Sequence, residues 1–452
     1  MSGNWRSKQR RALAVAGVVV AAAAAVLFGG ILADGSGQSV LSADASAARD
    51  AADQDSLNGL VAGFSTGNTA GYVRELERRV AASPRDGDAL TLLALAYQQR
   101  GRETGDPAYY RLASVALARA AAAHGRPELI FQARASLANT RHRFRTGLAL
   151  ARRALRLDRY NGSAYGALGD AELNLGRYRA AFAAYDRMAD LSPGIAAYTR
   201  VANARELLGR RDAAAAALRL ALQADSTVPE QVAWALVQLG NVEFNRGRAA
   251  AAAAAYRRAL TAVPGYVHAD AGLARVDAAR GRYADAAARL RHVVERLPLP
   301  AYVILLGDVL HVSGHEAEAR REYALVGAIE RLFEANGVRT ELQTALFDLD
   351  HGRHLRDALA RARAAYRSAP GIYADDAVAW GLFRLGRCGE AKARSIRSLR
   401  LGTKDGLLFF HRGEIERCLG DSAAARLWFG RALRLNPHFS LLWAPVAREA
   451  LR

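Results

Sequence analysis

Two short stretches of the chain carry residue types that could do chemistry. Residues 63–67 (GFSTG) have the spacing of a serine-nucleophile turn, which needs a strand before it and a helix after it. Asp348, Asp350, His351 and His354 cluster within seven positions and could offer oxygen and nitrogen ligands to a metal. The GFSTG stretch lies in a polar spacer, however, and histidines near helix ends are more often caps or solvated groups. We therefore predict neither a hydrolase nor a metal site.

Other catalytic motifs are missing from the sequence. It has no GxxxxGK[ST] phosphate loop and no HExxH zinc motif. No stretch outside the repeated region described next is large enough to form a catalytic domain. The sequence predicts a protein that is not an enzyme and needs no cofactor.

A glycine recurs along most of the chain with steps of 33, 38, 34, 33, 38, 34 and 34 residues. A tiny residue stands seven positions before most of these glycines, and an alanine usually stands five positions after. A period near 34 residues is typical of stacked helix–turn–helix units. The glycines are Gly176, Gly209, Gly247, Gly281, Gly314, Gly352, Gly386 and Gly420.

One unit, residues 164–193, shows the pattern in full. We predict a first helix near residues 163–175, a turn at Gly176, and a second helix near residues 178–191 that ends before Pro193. Gly169 and Ala181 would let the two helices approach closely. Related spacings return in later units, and the arrangement resembles the tetratricopeptide repeat family. The resemblance covers roughly residues 70–439 and implies an all-α fold, a superhelical α-solenoid of about ten units.

The predicted units divide the chain into regions. The repeat array spans residues 70–439, and residues 440–452 suit a C-terminal capping helix. The first unit carries an insertion around residues 103–107, and the unit at 338–371 has an extra residue in its turn. The two 38-residue steps place extra residues near 225–232 and 331–337, which we expect in turns.

The resemblance implies that first helices of successive units line a concave groove that binds peptides or protein segments. Projecting the groove-facing positions of the family onto this chain gives thirteen candidate residues. They are Asp170, Asn174, Asn203, Gln238, Asn241, Asn245, Arg275, Asp308, His311, Trp380, Arg384, His411 and Glu414.

Four of these candidates, Asn174, Asn203, Asn241 and Asn245, form a ladder of amides on consecutive units. An amide side chain both donates and accepts, so such a ladder could hold an extended peptide backbone without demanding a particular side chain. The alternative is that these amides make ordinary exposed or inter-unit hydrogen bonds. The Lys/Arg clamp that chaperone-tail-binding members use for a terminal carboxylate is missing.

The chain has two cysteines. Cys388 begins a second helix, and Cys418 ends the first helix of the next unit. In a stacked array these helix ends lie at the same edge, which permits a disulfide outside the cytoplasm. The alternative is two independent, partly buried thiols.

The N-terminal residues predict a membrane segment. Residues 1–11 are basic, and residues 12–33 hold no charged residue and are long enough to span a bilayer. The flanking charges place the N-terminus in the cytoplasm and the repeats outside it. We favour an uncleaved anchor, with cleavage near Ala33 and secretion as the alternative. Residues 34–69 then form a flexible linker.

Composition adds a net charge of +19, supplied almost entirely by arginine. The arginines are scattered over predicted solvent-facing positions and are not interleaved with stacking aromatics, which disfavours nucleic-acid binding. The sequence therefore predicts a membrane-anchored extracytoplasmic scaffold that binds protein or peptide. The alternative is an arginine-rich binder of anionic cell-envelope polymer or lipid headgroups.

Overall fold

A computed structural model describes residues 68–224 and 228–452. The predicted basic tail, membrane segment and almost all of the linker, with the GFSTG motif, lie outside these ranges. The described residues form 22 helices and no strand. The helices are α1 Thr69–Ala82, α2 Gly87–Thr104, α3 Ala108–Ala122, α4 Pro127–Thr140, α5 Phe144–Leu157, α6 Gly162–Asn174, α7 Tyr178–Leu191, α8 Ile195–Leu207, α9 Arg211–Ala221, α10 Pro229–Asn245, α11 Ala249–Ala262, α12 Val267–Ala279, α13 Tyr283–Arg296, α14 Pro300–Val312, α15 Glu316–Ala335, α16 Glu341–Asp350, α17 Leu355–Ser368, α18 Ile372–Arg384, α19 Cys388–Ser398, α20 Gly406–Cys418, α21 Ser422–Leu435 and α22 Trp443–Glu449.

Helices α2 to α21 form ten antiparallel hairpins, each packed against the next. Helix α1 precedes the first hairpin, and the short α22 packs on α21 at the other end. The all-helical solenoid predicted from the glycine period is confirmed. The unit chosen as the example has helices at Gly162–Asn174 and Tyr178–Leu191, within one residue of the prediction.

Local sequence explains where the helices begin and end. Asp86, Asn161 and Asp421 each accept a hydrogen bond from the backbone N–H three residues ahead, which satisfies a donor that the first turn leaves unpaired. The eight recurring glycines all have φ between +68° and +83°, a conformation that glycine reaches without a steric penalty. The glycine period is therefore a period of first-helix ends.

A glycine in the first helix lets an aromatic ring of the second helix lie against its backbone. A Cβ atom at Gly240 would stand 2.3 Å from a ring carbon of Tyr256. The same contact occurs between Gly169 and Tyr185. Because such a distance is shorter than any real Cβ contact, glycine is required for the two helices to pack this closely.

The irregular steps are only partly as predicted. Helix α2 ends at Thr104 and α3 begins at Ala108, a three-residue turn like most others, so the first insertion lengthens α2 to eighteen residues and does not widen the turn. Residues 351–354 make the turn before α17 one residue longer than most. The expectation of a longer turn near 331–337 is wrong, because residues 331–335 extend α15 to twenty residues. Alanine and leucine in this stretch favour helix, and Phe333 and Ile329 anchor it in the core.

Successive turns of the superhelix touch each other. The Tyr178 hydroxyl accepts a hydrogen bond from the Ile372 backbone N–H at 2.8 Å, and Asn436 Nδ2 donates to the Phe244 carbonyl at 3.0 Å. The Thr403 hydroxyl donates to the Leu207 carbonyl in the same way. These partners lie 192 to 196 positions apart, which corresponds to roughly six units. Each turn of the superhelix therefore contacts the turn that follows it, and we call this contact the closure of the solenoid.

Candidate ligand-binding groove

The first helices form the inner wall of the superhelix. First helices of neighbouring units contact each other, as α10 does with α12 and α18 with α20, in addition to contacting their own second helices. The second helices pack mainly against the first helices on either side. Side chains that point from first helices toward the superhelix axis therefore share one enclosed surface.

Three units share a hydrogen bond between a second-helix tyrosine and the inner wall. The Tyr185 hydroxyl donates to Asp170 Oδ1 at 3.0 Å, and the Tyr256 hydroxyl donates to Asn241 Oδ1 at 2.8 Å. The Tyr323 hydroxyl donates to an oxygen of Asp308 at 2.8 Å. Burial raises the pKa of Tyr256 to about 12, against the opposing effect of Arg275. These hydroxyls therefore stay protonated and act as donors.

The same three acceptors also bind a side chain of the following units. Arg200 donates to both oxygens of Asp170, at 3.0 and 2.8 Å, and both residues are almost fully buried. His351 Nε2 lies 2.9 Å from the Asp308 oxygen that Tyr323 also contacts. Arg275 donates to Asn241 at 3.3 Å. These candidates therefore join neighbouring units.

Aromatic side chains fill the inner wall near the C-terminal end. The Trp380 and Trp443 indole N–H groups donate to one oxygen of Asp350, at 2.9 and 3.1 Å. The His411 ring stacks on Trp380 with 4.0 Å between centroids, and its Nδ1 lies 2.8 Å from Asp376. Burial alone would lower the pKa of His411, but the neighbouring Asp376 carboxylate outweighs it and raises that pKa.

The thirteen predicted groove residues differ in exposure. Asp170, Trp380, His411 and Glu414 are buried, and His311 is exposed beside Glu316. The other eight are half-buried; these are Asn174, Asn203, Gln238, Asn241, Asn245, Arg275, Asp308 and Arg384. Their role in ligand binding stays a prediction.

The amides of the ladder differ in what they bind. Asn174 Nδ2 donates to the Asp170 carbonyl of its own helix, and Asn245 Nδ2 donates to Glu206 at 3.2 Å. By contrast, Asn203 Nδ2 and Gln238 Nε2 are buried atoms with no hydrogen-bond partner among the described residues. The inter-unit alternative thus holds for part of the ladder, while α8 and α10 present two unpaired donors.

Carboxyl groups on different turns of the superhelix also come together, which the linear sequence does not reveal. Glu206 ends α8, and Asp405 caps α20 almost a full superhelical turn later. Burial raises the pKa of both carboxyls, and repulsion from Asp405 adds to the rise at Glu206. No sequence signal could pair two residues 199 positions apart.

Cys388 and Cys418 form a disulfide in the structure, with 6.1 Å between their Cα atoms. The bond joins the start of α19 to the end of α20. Cys388 is buried and Cys418 is exposed. The bond ties the last two hairpins together at one edge of the array.

The acidic and histidine cluster at 348–354 is divided among separate interactions. Asp348 pairs with Arg361, Asp350 accepts from the two tryptophans, and His351 faces Asp308. Within residues 68–224 and 228–452, no three histidine, cysteine or acidic side chains converge as metal ligands. In those same ranges no helix has both the length and the apolar character needed to cross a membrane.

Comparison with known proteins gives matches to one family of repeats and partial likenesses to solved structures. A search of curated proteins finds no match. Chains from the APC/C hetero-tetramer Cut9–Hcn1 are similar over 85% of this chain and 93% of their own, at 11% identity and a TM-score of 0.37. The human IFIT1 dimer with PPP-AAAA is similar over 84% of this chain and 89% of its own, at 14% identity and a TM-score of 0.44.

The family comparison agrees with the repeat pattern. Residues 133–194 and 200–267 match one tetratricopeptide repeat profile, and residues 244–309 match a second. These ranges cover helices α5 to α7 and α9 to α13 and parts of α4, α8 and α14, which belong to the hairpins described above. Residues 133–194 and 200–309 are thus similar to tetratricopeptide repeats.

Proposed function

We propose that this chain is a non-catalytic scaffold that binds an extended segment of another protein along its inner wall, between α8 and α10. Tetratricopeptide repeats in general form protein-interaction surfaces, which supports the scaffold role. The observation that carries the proposal is the pair of unpaired amide donors, Asn203 Nδ2 and Gln238 Nε2. A buried N–H without an acceptor costs about 1–3 kcal/mol, and a peptide carbonyl would supply the acceptor.

The contact between α8 and α10 differs from the equivalent contact one unit earlier in the residues that form it. Asp170 and Asn203 each stand six residues before a turn glycine, and Arg200 and Gln238 each stand nine before one. One unit earlier, these two positions hold the buried Asp170–Arg200 ion pair, which satisfies itself. At the next step the charges are replaced by amides that leave donors unused. The inner wall therefore has one step suited to a neutral, hydrogen-bonding guest.

The enclosed shape supports an extended guest over a folded one. Because successive turns touch at Tyr178–Ile372 and Asn436–Phe244, the inner wall is not open along its side. A single strand of chain offers carbonyl acceptors at regular intervals and has the smallest cross-section of any protein element. This geometry also fits a ligand recognised through its backbone more than through its side chains.

We further propose that the repeats lie outside the cytoplasm, held by the predicted membrane segment at residues 12–33. The Cys388–Cys418 disulfide supports this location, since such bonds persist mainly in oxidising compartments. The alternative of an arginine-coated polymer binder has less support from the described residues. Many arginines lie on buried carboxylates, as Arg394 and Arg400 do on Asp375.

The test is peptide selection on the full chain, followed by comparison of two variants. Peptides selected from a random library are titrated against the wild type and against Asn203→Leu/Gln238→Leu. Because neither amide donor has a partner within the protein, the double variant should fold normally and bind at least about tenfold more weakly. Asn336→Leu, which removes a half-buried amide at the end of α15, is the control and should bind as the wild type does.

Equal binding by the double variant and the wild type would contradict the proposal. The same conclusion would follow if the control lost affinity to the same extent, because the effect would then not be specific to the inner wall.

A further inference from the structure

A second concave site lies where two turns of the superhelix meet, beside the C-terminal ends of α8 and α10. It encloses about 450 Å³, within the range of small-molecule sites. Arg211 enters it from the start of α9, whereas Lys404, Arg431 and Arg434 come from the last two units. We call this site the inter-turn pocket.

The charge of the inter-turn pocket is entirely positive. Its lining contains four cationic side chains and no carboxylate. Within the described residues, Lys404, Arg431 and Arg434 have no ion pair, and Arg211 donates only to the Asn245 carbonyl at 3.4 Å. Burial, then repulsion from Arg246, lowers the pKa of Arg211.

Cations on a neighbouring stretch of the chain are paired with buried carboxylates, unlike those of the inter-turn pocket. On the neighbouring stretch of chain, Arg394, Arg397 and Arg400 all converge on the single buried carboxylate of Asp375. Lys392 likewise lies 2.9 Å from a buried Glu416 oxygen. A carboxylate partner is thus provided for most nearby cations but not for those in the inter-turn pocket.

Two aromatic rings line the same pocket. Phe409 and Trp428 lie with ring centroids 5.4 Å apart, and both are half-buried. The Arg431 guanidinium lies 4.5 Å from the Trp428 ring centroid, which holds it beside the ring. A planar ligand ring can stack on such an exposed aromatic face while an attached anion contacts the arginines.

The geometry points to the inter-turn pocket as a binding site for a small phosphorylated molecule that carries a planar ring, the chemical class of a nucleotide. Arginine forks suit phosphate oxygens, and four cations match the charge of a diphosphate. Arg211 belongs to one turn and the other cations to the neighbouring turn, and the Thr403 bond to the Leu207 carbonyl joins the two turns beside the pocket. The bound ligand therefore also links the two turns.

Calorimetric titration of the full chain with ADP, pyrophosphate and adenosine tests this site. We expect ADP to bind more tightly than pyrophosphate, and adenosine to bind most weakly. Arg431→Gln/Arg434→Gln should weaken ADP binding at least about tenfold, because two charge-assisted contacts are removed. Trp428→Leu should weaken ADP binding by a larger factor than pyrophosphate binding, because it removes the stacking ring and affects the phosphate contacts only through Arg431.

The matched control is Arg257→Gln/Arg258→Gln, which removes the same charge from two exposed arginines on α11. It should bind ADP as the wild type does. Equal weakening by both double variants would show general attraction to a basic surface and would overturn the site. No ADP binding up to ~1 mM would overturn it as well. Pyrophosphate binding as tight as that of ADP would overturn the ring-binding part.

Discussion

At the scale of single residues, the inner wall is built largely from side chains that bind one another. Asp170, Asn241 and Asp308 each contact a tyrosine of their own unit and one side chain of the next unit. Each of these three side chains is hydrogen-bonded to two protein side chains in place of water. These residues hold neighbouring units in register, whereas the Asn203–Gln238 step is the one at which we propose that a peptide binds.

Asp170→Asn should be strongly destabilising. The change leaves the buried Arg200 guanidinium without its counter-charge, which costs about 3–5 kcal/mol when one partner of a buried pair is removed. The matched control is Asp212→Asn, since the Asp212 side chain is 92% exposed although it pairs with Arg246. Urea unfolding should show a change of less than about 1 kcal/mol for the control. Similar losses for the two variants would contradict the role of the buried pair.

His411 should make stability fall as the pH rises. Burial lowers the pKa of His411. The nearby carboxylates of Asp376, then of Asp350 and Asp405, have the larger combined effect and raise that pKa above its ordinary value. A histidine with a raised folded pKa stabilises fully below its unfolded pKa, and this stabilisation is lost as the pH rises through the folded pKa. The loss is about 1.4 kcal/mol for each unit of difference between the two.

Urea unfolding between pH 5.5 and pH 9 measures this effect. The wild type should lose more stability than His411→Gln above about pH 6.5. His292→Gln, which removes an exposed imidazole, should keep the wild-type slope. Parallel pH profiles for the wild type and His411→Gln would show that the Asp376 contact does not stabilise the protonated ring.

At the scale of elements, each hairpin depends on a small residue in its first helix and a large ring in its second. Tyr256 lies against the backbones of Gly240 in its own unit and Gly272 in the next. One ring therefore fixes the distances among α10, α11 and α12. The disulfide adds a covalent link between α19 and α20 at the edge of the array.

Gly240→Ala tests this packing. Its Cβ would stand 2.3 Å from the Tyr256 ring, and overpacking of this kind costs about 1–3 kcal/mol. Gly389→Ala is the matched control, because a Cβ at that helical position meets no atom within 4 Å. The control should be neutral or gain up to about 1 kcal/mol from helix propensity. Destabilisation of both variants by equal amounts would contradict the packing argument.

Because the two cysteines are bonded to each other, we expect the protein in its native cells to contain no free thiol. Rapid alkylation before lysis should label neither Cys388 nor Cys418, since both sulfurs are bonded. Reduction before alkylation should label both and serves as the control. Labelling of both cysteines without reduction would contradict the proposed location outside the cytoplasm.

The sequence predicts features that depend on neighbouring residues better than features that depend on contacts between residues far apart in the chain. Gly176 and its equivalents mark each hairpin in the sequence, because the left-handed backbone conformation that ends a first helix depends only on local residues. The Asp170–Arg200 pair was not predicted, because arginine at that position is not part of the repeated pattern. Residues 331–335 depart from the expected turn because an insertion can lengthen a helix as readily as a turn.

At the scale of the whole molecule, closure of the superhelix decides what the inner wall can bind. Contacts between turns depend on small rotations that accumulate over about six units, so no single unit encodes them. The same accumulation brings Glu206 beside Asp405 and carries Arg211 to the inter-turn pocket. Both proposed ligand sites therefore depend on closure of the solenoid.

Hydrogen exchange at the Ile372 amide tests closure most directly. Ile372 is the first residue of α18, so its N–H has no acceptor within the helix, and its bond to the Tyr178 hydroxyl comes from the neighbouring turn. We expect this amide to be protected in the wild type and to lose protection in Tyr178→Phe, with the rest of α18 unchanged. Tyr323→Phe, whose hydroxyl bonds within its own unit, should keep the protection. Exchange of the wild-type Ile372 amide as fast as an unprotected first-turn amide would show that the turns do not touch.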